Sequence, residues 1–424
     1  MNSRQRTSVS RQVSALELSN RKPRLAVVSP SLDKQHGTER MVVEWIDRLS
    51  DAFEIHIYSQ HLEDMDFSKF VWHRVSRFPG PHLFNFLWWF VVNGLQRHRD
   101  ERSKNIQFDI VFSPGPNCLD ADAITVHIVF AEFVRRVQSE LKFMRNPVRL
   151  WPRLLHRRIY YRIAMILESL VFRNPRAQLI LTAPQTAKEI GRFFGRNEVL
   201  PVVSPGLDHS IFNPARRSSL RKHARESLGV SDGRFVLLLI GNDWRKKGLG
   251  TLLGALEVLS HFSVDLLVAG RDDPGPFLSV IRKKSLELRV RFLPPIKNVE
   301  LYYAAADAYV GPSLEDTFAL PASEAMACGL PTIISALAGA SELITDGFDG
   351  LILDDPSDAQ KLADLIQLLR DSRELRERLG RNAAQTSLKY TWERSTEDLF
   401  VVFKEILRRK GKRPLVITSL ETGR

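Results

Sequence analysis

Two carboxylates spaced eight residues apart, Asp316 and Glu324, mark the part of the chain best suited to chemistry. They lie in Gly311–Pro331, which reads GPSLEDTFALPASEAMACGLP. A helical pattern starts at Leu320, so the backbone N–H groups near Phe318–Leu320 are predicted at a helix N-terminus, which attracts anions. Two acids beside an anion site could handle a sugar and a phosphate together. The alternative interpretation is structural: Asp316 caps the helix, and Glu324 is a solvated helix acid.

The elements that must position these acids alternate along the chain. Short apolar runs bounded by turn residues predict buried parallel strands in two series. The first series comprises Leu25–Ser29, Glu54–Tyr58, Asp109–Ser113, Ile124–His127 and Leu179–Leu181. The second comprises Phe235–Ile240, Asp265–Ala269, Val290–Leu293, Ala308–Val310, Thr332–Ser335 and Gly350–Leu353. Helical patterns between the runs indicate an α/β fold with right-handed crossovers.

A turn-rich stretch at 204–210 separates the two series and is predicted to be a linker. The 424 residues are enough for two or three domains. We therefore expect two facing, doubly wound, Rossmann-like domains that bind ligands at the carboxyl ends of their strands. The predicted boundaries are a mobile basic tail at 1–22, an N-terminal domain at 23–205, a C-terminal domain at 206–392 and a last segment at 393–424.

Composition and charge exclude several classes of protein. The chain is 44% hydrophobic and 26% charged, as soluble globular proteins are. Its two cysteines exclude a disulfide scaffold and a Cys-based zinc module, and they are typical of a reducing compartment. The net charge of +12 favours an anionic partner. That charge is concentrated, since residues 134–176 hold eleven basic and two acidic residues and residues 1–24 hold six and one.

The stretch around the two acids resembles the signature of the retaining glycosyltransferases of the glycogen-synthase-like, family-four type, also called glycosyl transferases group 1. The matching positions are Asp316, Phe318, Leu320, Pro321, Glu324, Ala325, Met326, Ala327, Cys328, Gly329 and Pro331. Further similar segments follow in order along the chain: Gly37–Arg40, Val203–Asp208, Gly241–Leu249, Ala338–Glu342 and Tyr390–Glu393. The resemblance implies the GT-B fold, with the acceptor in the N-terminal domain, the donor in the C-terminal domain and a crossing helix within 393–424.

The resemblance also implies transfer of a sugar, with retention of configuration, from a nucleotide-sugar donor to a cell-envelope glycan or lipid-linked acceptor. Negative charge builds up on the leaving pyrophosphate as the glycosidic bond breaks, so fixed positive charge and N–H groups must meet it. The residues predicted to do so are Arg245, Lys247, Phe318, Ala319 and Leu320. Asp316, with Glu315 as an alternative, is expected to orient the sugar hydroxyls.

Other roles rest on the resemblance alone. Glu324 is expected to accept hydrogen bonds from the ribose, and the base is expected near Ile296 and Lys297. Gly37 belongs to a glycine loop that follows the first strand. His127, at a predicted strand end, is interpreted either as a residue near donor and acceptor or as a core histidine.

Three departures from the family pattern lie in the predicted donor site. Asp316 stands where the family has a glutamate, Ala319 where it has a glycine and Asn242 where it has an arginine. They leave open a catalytically lapsed nucleotide- or glycan-binding protein. A nucleotide-sugar epimerase or phosphorylase on the same fold is a second alternative. No cofactor or metal is expected, and the D-x-D string Asp120–Asp122 is interpreted as loop acids.

Membrane contact is predicted at the periphery only. Residues 1–22 lack the apolar core of a signal peptide, and the run Leu83–Leu95 is shorter than the roughly 20 residues of a spanning helix. That run is interpreted as a buried core helix or as an interfacial segment. A helix over Arg153–Phe172 presents either a solvated basic face or a surface for anionic lipid or a phosphorylated acceptor. Its apolar positions share one side: Leu155, Ile159, Ile163, Leu167 and Leu170. We expect a cytoplasmic protein, peripheral on the inner face of the cytoplasmic membrane, with no nucleic-acid partner.

Overall fold

The computed structural model describes residues 21–34, 36–80, 82–137, 151–231, 233–316 and 318–412. These residues form two compact units. The first comprises the described residues up to Leu181, Lys188–Pro201 and the described residues from Thr396, and the second comprises Thr182–Ala187 and Val202–Ser395. The predicted tail at 1–22 lies almost wholly outside the described residues.

The first unit is built on a six-stranded parallel sheet. Its strands are β1 (Arg24–Val28), β3 (Glu54–Ser59), β5 (Val71–Arg74), β6 (Ile110–Pro114), β7 (Ala123–Val126) and β8 (Gln178–Leu181). They lie in the order β5-β3-β1-β6-β7-β8, in which the direction of winding reverses between β1 and β6. A separate two-stranded parallel sheet pairs β2 (Ser31–Leu32) with β4 (His61–Leu62).

Helices connect these strands and cover the sheet. In chain order they are α1 (Gly37–Leu49), α2 (His82–Ser103), α3 (Phe130–Val137), α4 (Trp151–Phe172) and α5 (Thr186–Phe194). Trp45 of α1 is fully buried and packs on Phe112 of β6, with ring centroids 6.2 Å apart. Such contacts give the first unit its core between helices and sheet.

The second unit repeats the same architecture. Its strands are β9 (Phe235–Ile240), β10 (Val264–Ala269), β11 (Val290–Leu293), β12 (Ala308–Gly311), β13 (Thr332–Ser335) and β14 (Leu351–Leu353). They are all parallel and lie in the order β11-β10-β9-β12-β13-β14. Every residue of β10 and β12 is buried, which is why these strands appear in the sequence as near-continuous apolar runs.

The helices of the second unit follow in the same alternation. They are α6 (Pro214–Ser227), α7 (Leu249–Val258), α8 (Gly275–Lys283), α9 (Glu300–Ala305), α10 (Leu320–Ala327), α11 (Ala359–Asp371) and α12 (Arg373–Ser387), with a short 3-10 helix at Gly339–Leu343. The last helix, α13 (Trp392–Arg409), belongs to the first unit from Thr396 onward. There Phe400 and Phe403 pack against Phe53 at 6.1 and 5.8 Å.

A row of arginines on α6 fixes the position of α9. Arg217, Arg221 and Arg225 lie one turn apart and donate hydrogen bonds to the carbonyl end of α9. The acceptors, at 2.9–3.3 Å, are the carbonyl oxygens of Tyr303, Ala304, Ala305 and Ala306. These bonds satisfy backbone groups that a helix C-terminus leaves without partners. Because α9 carries Tyr303, the row also positions a residue of the candidate site.

Most predicted strands are confirmed within a residue or two at each end. The bounds of β9, β11 and β13 agree with the prediction at both ends. The strand β5 at the sheet edge is not predicted by the sequence patterns, because only one of its four side chains is buried. The strand β7 ends at Val126, so His127 lies just beyond the strand and not at its last position.

Two predicted helical segments expose part of their apolar side. The apolar run Leu83–Leu95 lies within α2, which buries Trp89 and leaves Val91 and Leu95 exposed. The basic helix is α4, and its apolar side is not covered, since Leu155 and Leu170 are both more than half exposed. Arg158 and Arg162 are exposed as well, in agreement with a solvated basic face, and whether the helix binds lipid or a phosphorylated acceptor stays a prediction. No helix in the described part of the chain combines the length and apolarity that crossing a bilayer requires.

Candidate active site

Two loops meet at the carboxyl edge of the second sheet, where the winding direction reverses. The loop 241–248 follows β9, and the loop 312–319 follows its neighbour β12. The backbone N–H of Leu314 donates to the carbonyl oxygen of Lys246 at 2.7 Å and joins the loops. Gly248 has a φ of 79°, and a Cβ there would lie 1.9 Å from the carbonyl oxygen of Pro312, so this approach requires glycine. Doubly wound folds bind ligands at such a position.

An ion pair between Lys247 and Asp316 links the two loops at this edge. Their side chains are only 18% and 10% exposed. The stem of Lys247 crosses Gly241, where a Cβ would lie 2.9 Å from its Cε. Two residues from distant parts of the sequence are thus brought into contact, of which Lys247 was predicted to meet phosphate charge and Asp316 to orient a sugar.

Asp316 is held on both sides of its carboxylate. Oδ1 accepts a hydrogen bond from the backbone N–H of Ala319 at 3.0 Å, and the hydroxyl of Ser313 lies 3.4 Å from Oδ2. The carbonyl oxygen of Asp316 accepts from the backbone N–H of Gly339 at 3.0 Å. Asp316 therefore supports the turn before α10 through Ala319 and is not the helix cap that the structural interpretation predicted, while its Oδ2 also faces Lys247.

The helix α10 begins at Leu320 as predicted, and the turn before it is unusual. Ala319 has φ 60° and ψ 55°, the left-handed region that glycine adopts at little cost. Phe318 and Ala319 are both buried. The family's glycine at this position is thus explained by the backbone, which the alanine of this chain adopts with strain. Thr317 lies outside the described residues.

Glu324 is buried one turn inside α10, with 4% of its surface exposed. The hydroxyl of Tyr303 on α9 donates to its Oε2 at 2.7 Å. Burial and the nearby carboxylate raise the pKa of Tyr303 well above its usual range, so this hydroxyl keeps its proton and donates. The interpretation of Glu324 as a solvated helix acid is wrong. Tyr303 is a site residue that the sequence analysis did not single out.

The remaining predicted residues of the second unit line the same edge more loosely. Arg245 is exposed in the loop after β9, and Glu315 is half-buried in the loop after β12. Ile296 and Lys297 are exposed in the loop after β11. Since these loops all follow carboxyl ends of one parallel sheet, a ligand that lies across β9 and β12 could extend toward them.

A buried tryptophan that the sequence analysis did not use shapes the basic loop. Trp244 is 2% exposed and packs on Phe292 of β11, with ring centroids 4.9 Å apart. Its backbone N–H donates to Asp272 Oδ2 at 2.7 Å. The sequence signal that could have identified Trp244 is its place as an apolar residue next to basic ones. The buried Trp244 therefore anchors the loop that carries Arg245 and Lys247.

Gly37 and His127 belong to the first unit, and the other predicted site residues belong to the second. Gly37 is the first residue of α1, next to His36, whose Nδ1 lies 2.9 Å from the carboxylate of Asp33. His127 is half-buried, with Nε2 3.0 Å from the hydroxyl of Thr125. Burial lowers the pKa of His127 to about 4, so the ring is neutral at neutral pH.

The acids of the D-x-D string serve the fold. Asp120 forms two hydrogen bonds, at 2.7 and 2.8 Å, with the buried guanidinium of Arg97. Asp122 accepts from the backbone N–H of Val111 at 2.8 Å and pairs with Lys410 at 2.6 Å. Within the described ranges, no three His, Cys, Asp or Glu side chains are grouped as a metal ion would require.

Residues 221–386, which lie in the second unit, match the family model of glycosyl transferases group 1. The match covers less than half of the chain, so the likeness to this family is a finding about the second unit. A D-inositol 3-phosphate glycosyltransferase of Arthrobacter sp. (strain FB24) is 31% identical over 229 residues, which are 51% of this chain and 53% of that protein. The chain thus spans about half the length of the curated relatives it matches.

Solved structures show the GT-B fold. WaaG, a glycosyltransferase involved in lipopolysaccharide biosynthesis, aligns with a TM-score of 0.75 at 18% identity over 90% of this chain and 99% of that chain. Anabaena HepE in complex with UDP-glucose aligns with a TM-score of 0.65 at 18% identity over 91% and 98%. The expected fold, with two Rossmann-like domains, is therefore confirmed.

Proposed function

We propose that the chain is a retaining glycosyltransferase that binds a nucleotide-sugar donor at the carboxyl edge of the second sheet. The observation that carries the proposal is the contact between Lys247 and Asp316, made by two loops at the reversal of winding, beside the start of α10. The glycosyl transferases group 1 match supports glycosyl transfer. The HepE structure with UDP-glucose supports a nucleotide-sugar donor for this fold.

In the proposed complex, the donor exchanges partners with the ion pair. Lys247 turns from Asp316 to the pyrophosphate, and Arg245 adds a second positive charge as the glycosidic bond breaks. Asp316 then accepts hydrogen bonds from sugar hydroxyls. Because this positive charge lies close to the pyrophosphate before the glycosidic bond breaks, the site needs little reorganisation during the reaction.

The nucleoside is assigned to the region around Glu324, one turn inside α10. Glu324 accepts hydrogen bonds from the ribose, and Tyr303 holds its second oxygen in place. The base lies near Ile296 and Lys297. Each carboxylate oxygen can accept more than one hydrogen bond, so Glu324 can accept from a diol in addition to the hydrogen bond from Tyr303.

Retention is assigned to front-face transfer, in which a donor phosphate oxygen takes the proton of the acceptor hydroxyl. No side chain is assigned as a covalent nucleophile, and no metal or cofactor is assigned. Cys328 is buried, and burial raises the pKa of its thiol to about 12, so it remains protonated.

The proposed acceptor is a cell-envelope glycan or a lipid-linked saccharide, reached at the inner face of the cytoplasmic membrane. Support comes from WaaG, a glycosyltransferase involved in lipopolysaccharide biosynthesis. The curated relatives named as D-inositol 3-phosphate glycosyltransferases indicate a phosphorylated acceptor as an alternative. Gly37 and His127 of the first unit are assigned to the acceptor.

A second candidate is a lapsed binding protein, which Ala319 and Asn242 favour because they replace residues of the family pattern. A panel of UDP-, GDP-, ADP- and dTDP-linked sugars separates the two. Slow release of nucleoside diphosphate from one donor, lost in Lys247→Met and kept in Lys246→Met, supports the transferase. Binding without turnover supports the lapsed protein, and an isomerised donor supports an epimerase.

A further inference from the structure

An open cavity of about 1280 Å³ lies at the amino edge of the second sheet. Its wall includes Phe235, the first residue of β9, and Asp307, the residue directly before β12. The loops of the candidate active site follow the other ends of these two strands. The cavity and the candidate active site therefore lie at opposite edges of one parallel sheet, and the proposed function leaves the cavity unexplained.

Basic side chains from separate parts of the chain converge on this cavity. The six basic residues of its wall are Arg221, Lys222 and Arg225 of α6, Arg234 before β9, Arg370 of α11 and Arg376 of α12. The described part of the wall holds three acids, which are Glu226, Asp307 and Asp371. A run of charge along one helix is usually a solvated face, whereas charge that several elements bring to one concave surface suits an anionic ligand. We call this surface the basic cavity.

Ion pairs within the protein account for part of the basic charge. Four of the six basic residues pair with acids: Arg221 and Arg225 with Asp307, Arg234 with Asp265, and Arg370 with Asp371. Asp307 also accepts a hydrogen bond from the backbone N–H of Val236 at 2.8 Å. The remaining acid of the described wall, Glu226, is exposed on α6. These pairs give the four arginines a structural role, with three carboxylates against four guanidinium groups.

Lys222 and Arg376 are not explained in that way. Within the residues that the structure describes, neither side chain has a carboxylate partner. Nη1 of Arg376 donates to the carbonyl oxygens of Leu369 and Arg370 at 2.5 and 2.8 Å, and its Cζ lies 5.5 Å from the ring centroid of Phe235. This packing fixes the guanidinium at the wall and leaves the donors on Nε and Nη2 for a ligand. Lys222 is exposed, so its ammonium group can turn toward the same ligand.

Neighbouring arginines also respond to the positive charge at this edge of the sheet. Burial, followed by the charge of Arg221, lowers the pKa of Arg217 to about 10. Burial, followed by the charge of Arg234, lowers the pKa of Arg289. Repulsion among these cations indicates that the acids of the protein do not fully balance them, and a bound anion would relieve it.

We propose that the basic cavity binds a small anion that carries two or more phosphate groups. The planar guanidinium group matches the oxygens of a phosphate, and a lysine adds a mobile positive charge. The hydroxyl groups of Ser218, Ser231 and Ser263 line the same cavity and supply neutral donors. The basic residues come from α6 on one side and from α11 and α12 on another, so an anion with several phosphates contacts more of them at once than a single phosphate does. This inference goes beyond the proposed function and does not depend on it.

Isothermal titration calorimetry of the full chain with pyrophosphate tests the proposal. The test variants are Lys222→Gln and Arg376→Gln. Their matched controls are Lys361→Gln and Arg381→Gln, which change exposed basic residues of α11 and α12 outside the cavity wall. We expect the Kd for pyrophosphate to rise about threefold in Lys222→Gln, whose side chain is exposed, and about tenfold in Arg376→Gln, and to stay unchanged in both controls.

Lys247→Met separates the basic cavity from the candidate active site, which would bind pyrophosphate as well. Binding in the basic cavity should survive Lys247→Met and should weaken when Lys222→Gln is added to it. Circular dichroism establishes that each variant is folded at the assay temperature. If Arg376→Gln unfolds because its packing on Phe235 is lost, Lys222→Gln decides the question alone.

Three results would overturn the proposal. The first is that pyrophosphate binds no more tightly than sulfate at equal ionic strength, because only general screening of charge would then be at work. The second is that Lys222→Gln binds pyrophosphate as its control does. The third is that folded Lys247→Met loses all binding, because the candidate active site would then account for it. Each of these results leaves turnover of a sugar donor untouched, so the proposed function fails or stands separately.

Discussion

Replacing Lys247 by methionine should damage the second unit in two separable ways. The variant keeps a stem that can cross Gly241 but leaves the carboxylate of Asp316, only 10% exposed, without its counter-charge. Removing one partner of a buried ion pair costs about 3–5 kcal/mol, and the partial exposure here favours about 3 kcal/mol. At about 2–4 °C per kcal/mol for a unit of this size, the melting temperature should fall by roughly 6–12 °C. Turnover of the donor should fall by about 10²–10³.

The double variant Lys247→Met/Asp316→Asn tells the two effects apart. It should regain most of the lost stability, because a neutral amide needs no counter-charge, but it should not regain turnover. Lys246→Met is the control, since Lys246 pairs with Asp243 at 3.6 Å on the surface, where such pairs contribute little. Differential scanning calorimetry and nucleotide release measure the two quantities. A Lys247→Met protein that melts and turns over like the control would refute the assignment.

Four further predictions concern pH, backbone and ribose contacts. Burial raises the pKa of Glu168 to about 7, so its contribution to the free energy of unfolding is complete below about pH 4.5 and is lost as pH rises through 7. The loss amounts to about 3 kcal/mol, and urea unfolding of Glu168→Gln should not show it. For His127, whose pKa burial lowers to about 4, the sign is opposite: the wild type loses stability as pH falls below about 6.5, and His127→Gln should not. Ala319→Val should lower stability by more than about 1 kcal/mol, because a β-branched residue resists the left-handed region, whereas Ala319→Gly should stay within about 1 kcal/mol of wild type in the same assay. Glu324→Gln should weaken nucleoside diphosphate binding in calorimetry by about 10–100-fold, and Tyr303→Phe by less; equal and negligible losses would contradict the ribose assignment.

The sequence predicted the elements that local patterns determine. Buried parallel strands such as β9 and β13 appear as apolar runs, and the start of α10 at Leu320 follows from composition. Gly329, just beyond the end of α10, has a φ of 65°, as a helix-ending glycine should. These features depend on few residues close together in the chain, which is why one sequence suffices to locate them.

The features that the sequence did not predict depend on contacts between distant residues. Tyr303 and Glu324 are 21 residues apart, and the tyrosine alone carries no sign that its hydroxyl reaches the acid. Periodicity located an apolar stripe on α4 but could not tell whether it faced the core, because Leu154 and Val171 provide a second apolar side. The strand β5 was missed because its exposed edge position leaves little hydrophobic signal.

Hydrogen exchange of the full chain tests the location of the donor most directly. The ligand is the nucleoside diphosphate that raises the melting temperature most in a screen, since a ligand bound to the native state alone stabilises it. The account predicts new protection in the loops after β9, β11 and β12, which hold Lys247, Ile296 and Asp316, and loss of that protection in Lys247→Met. Protection confined to the first unit, or none in these loops at saturating nucleotide, would contradict it.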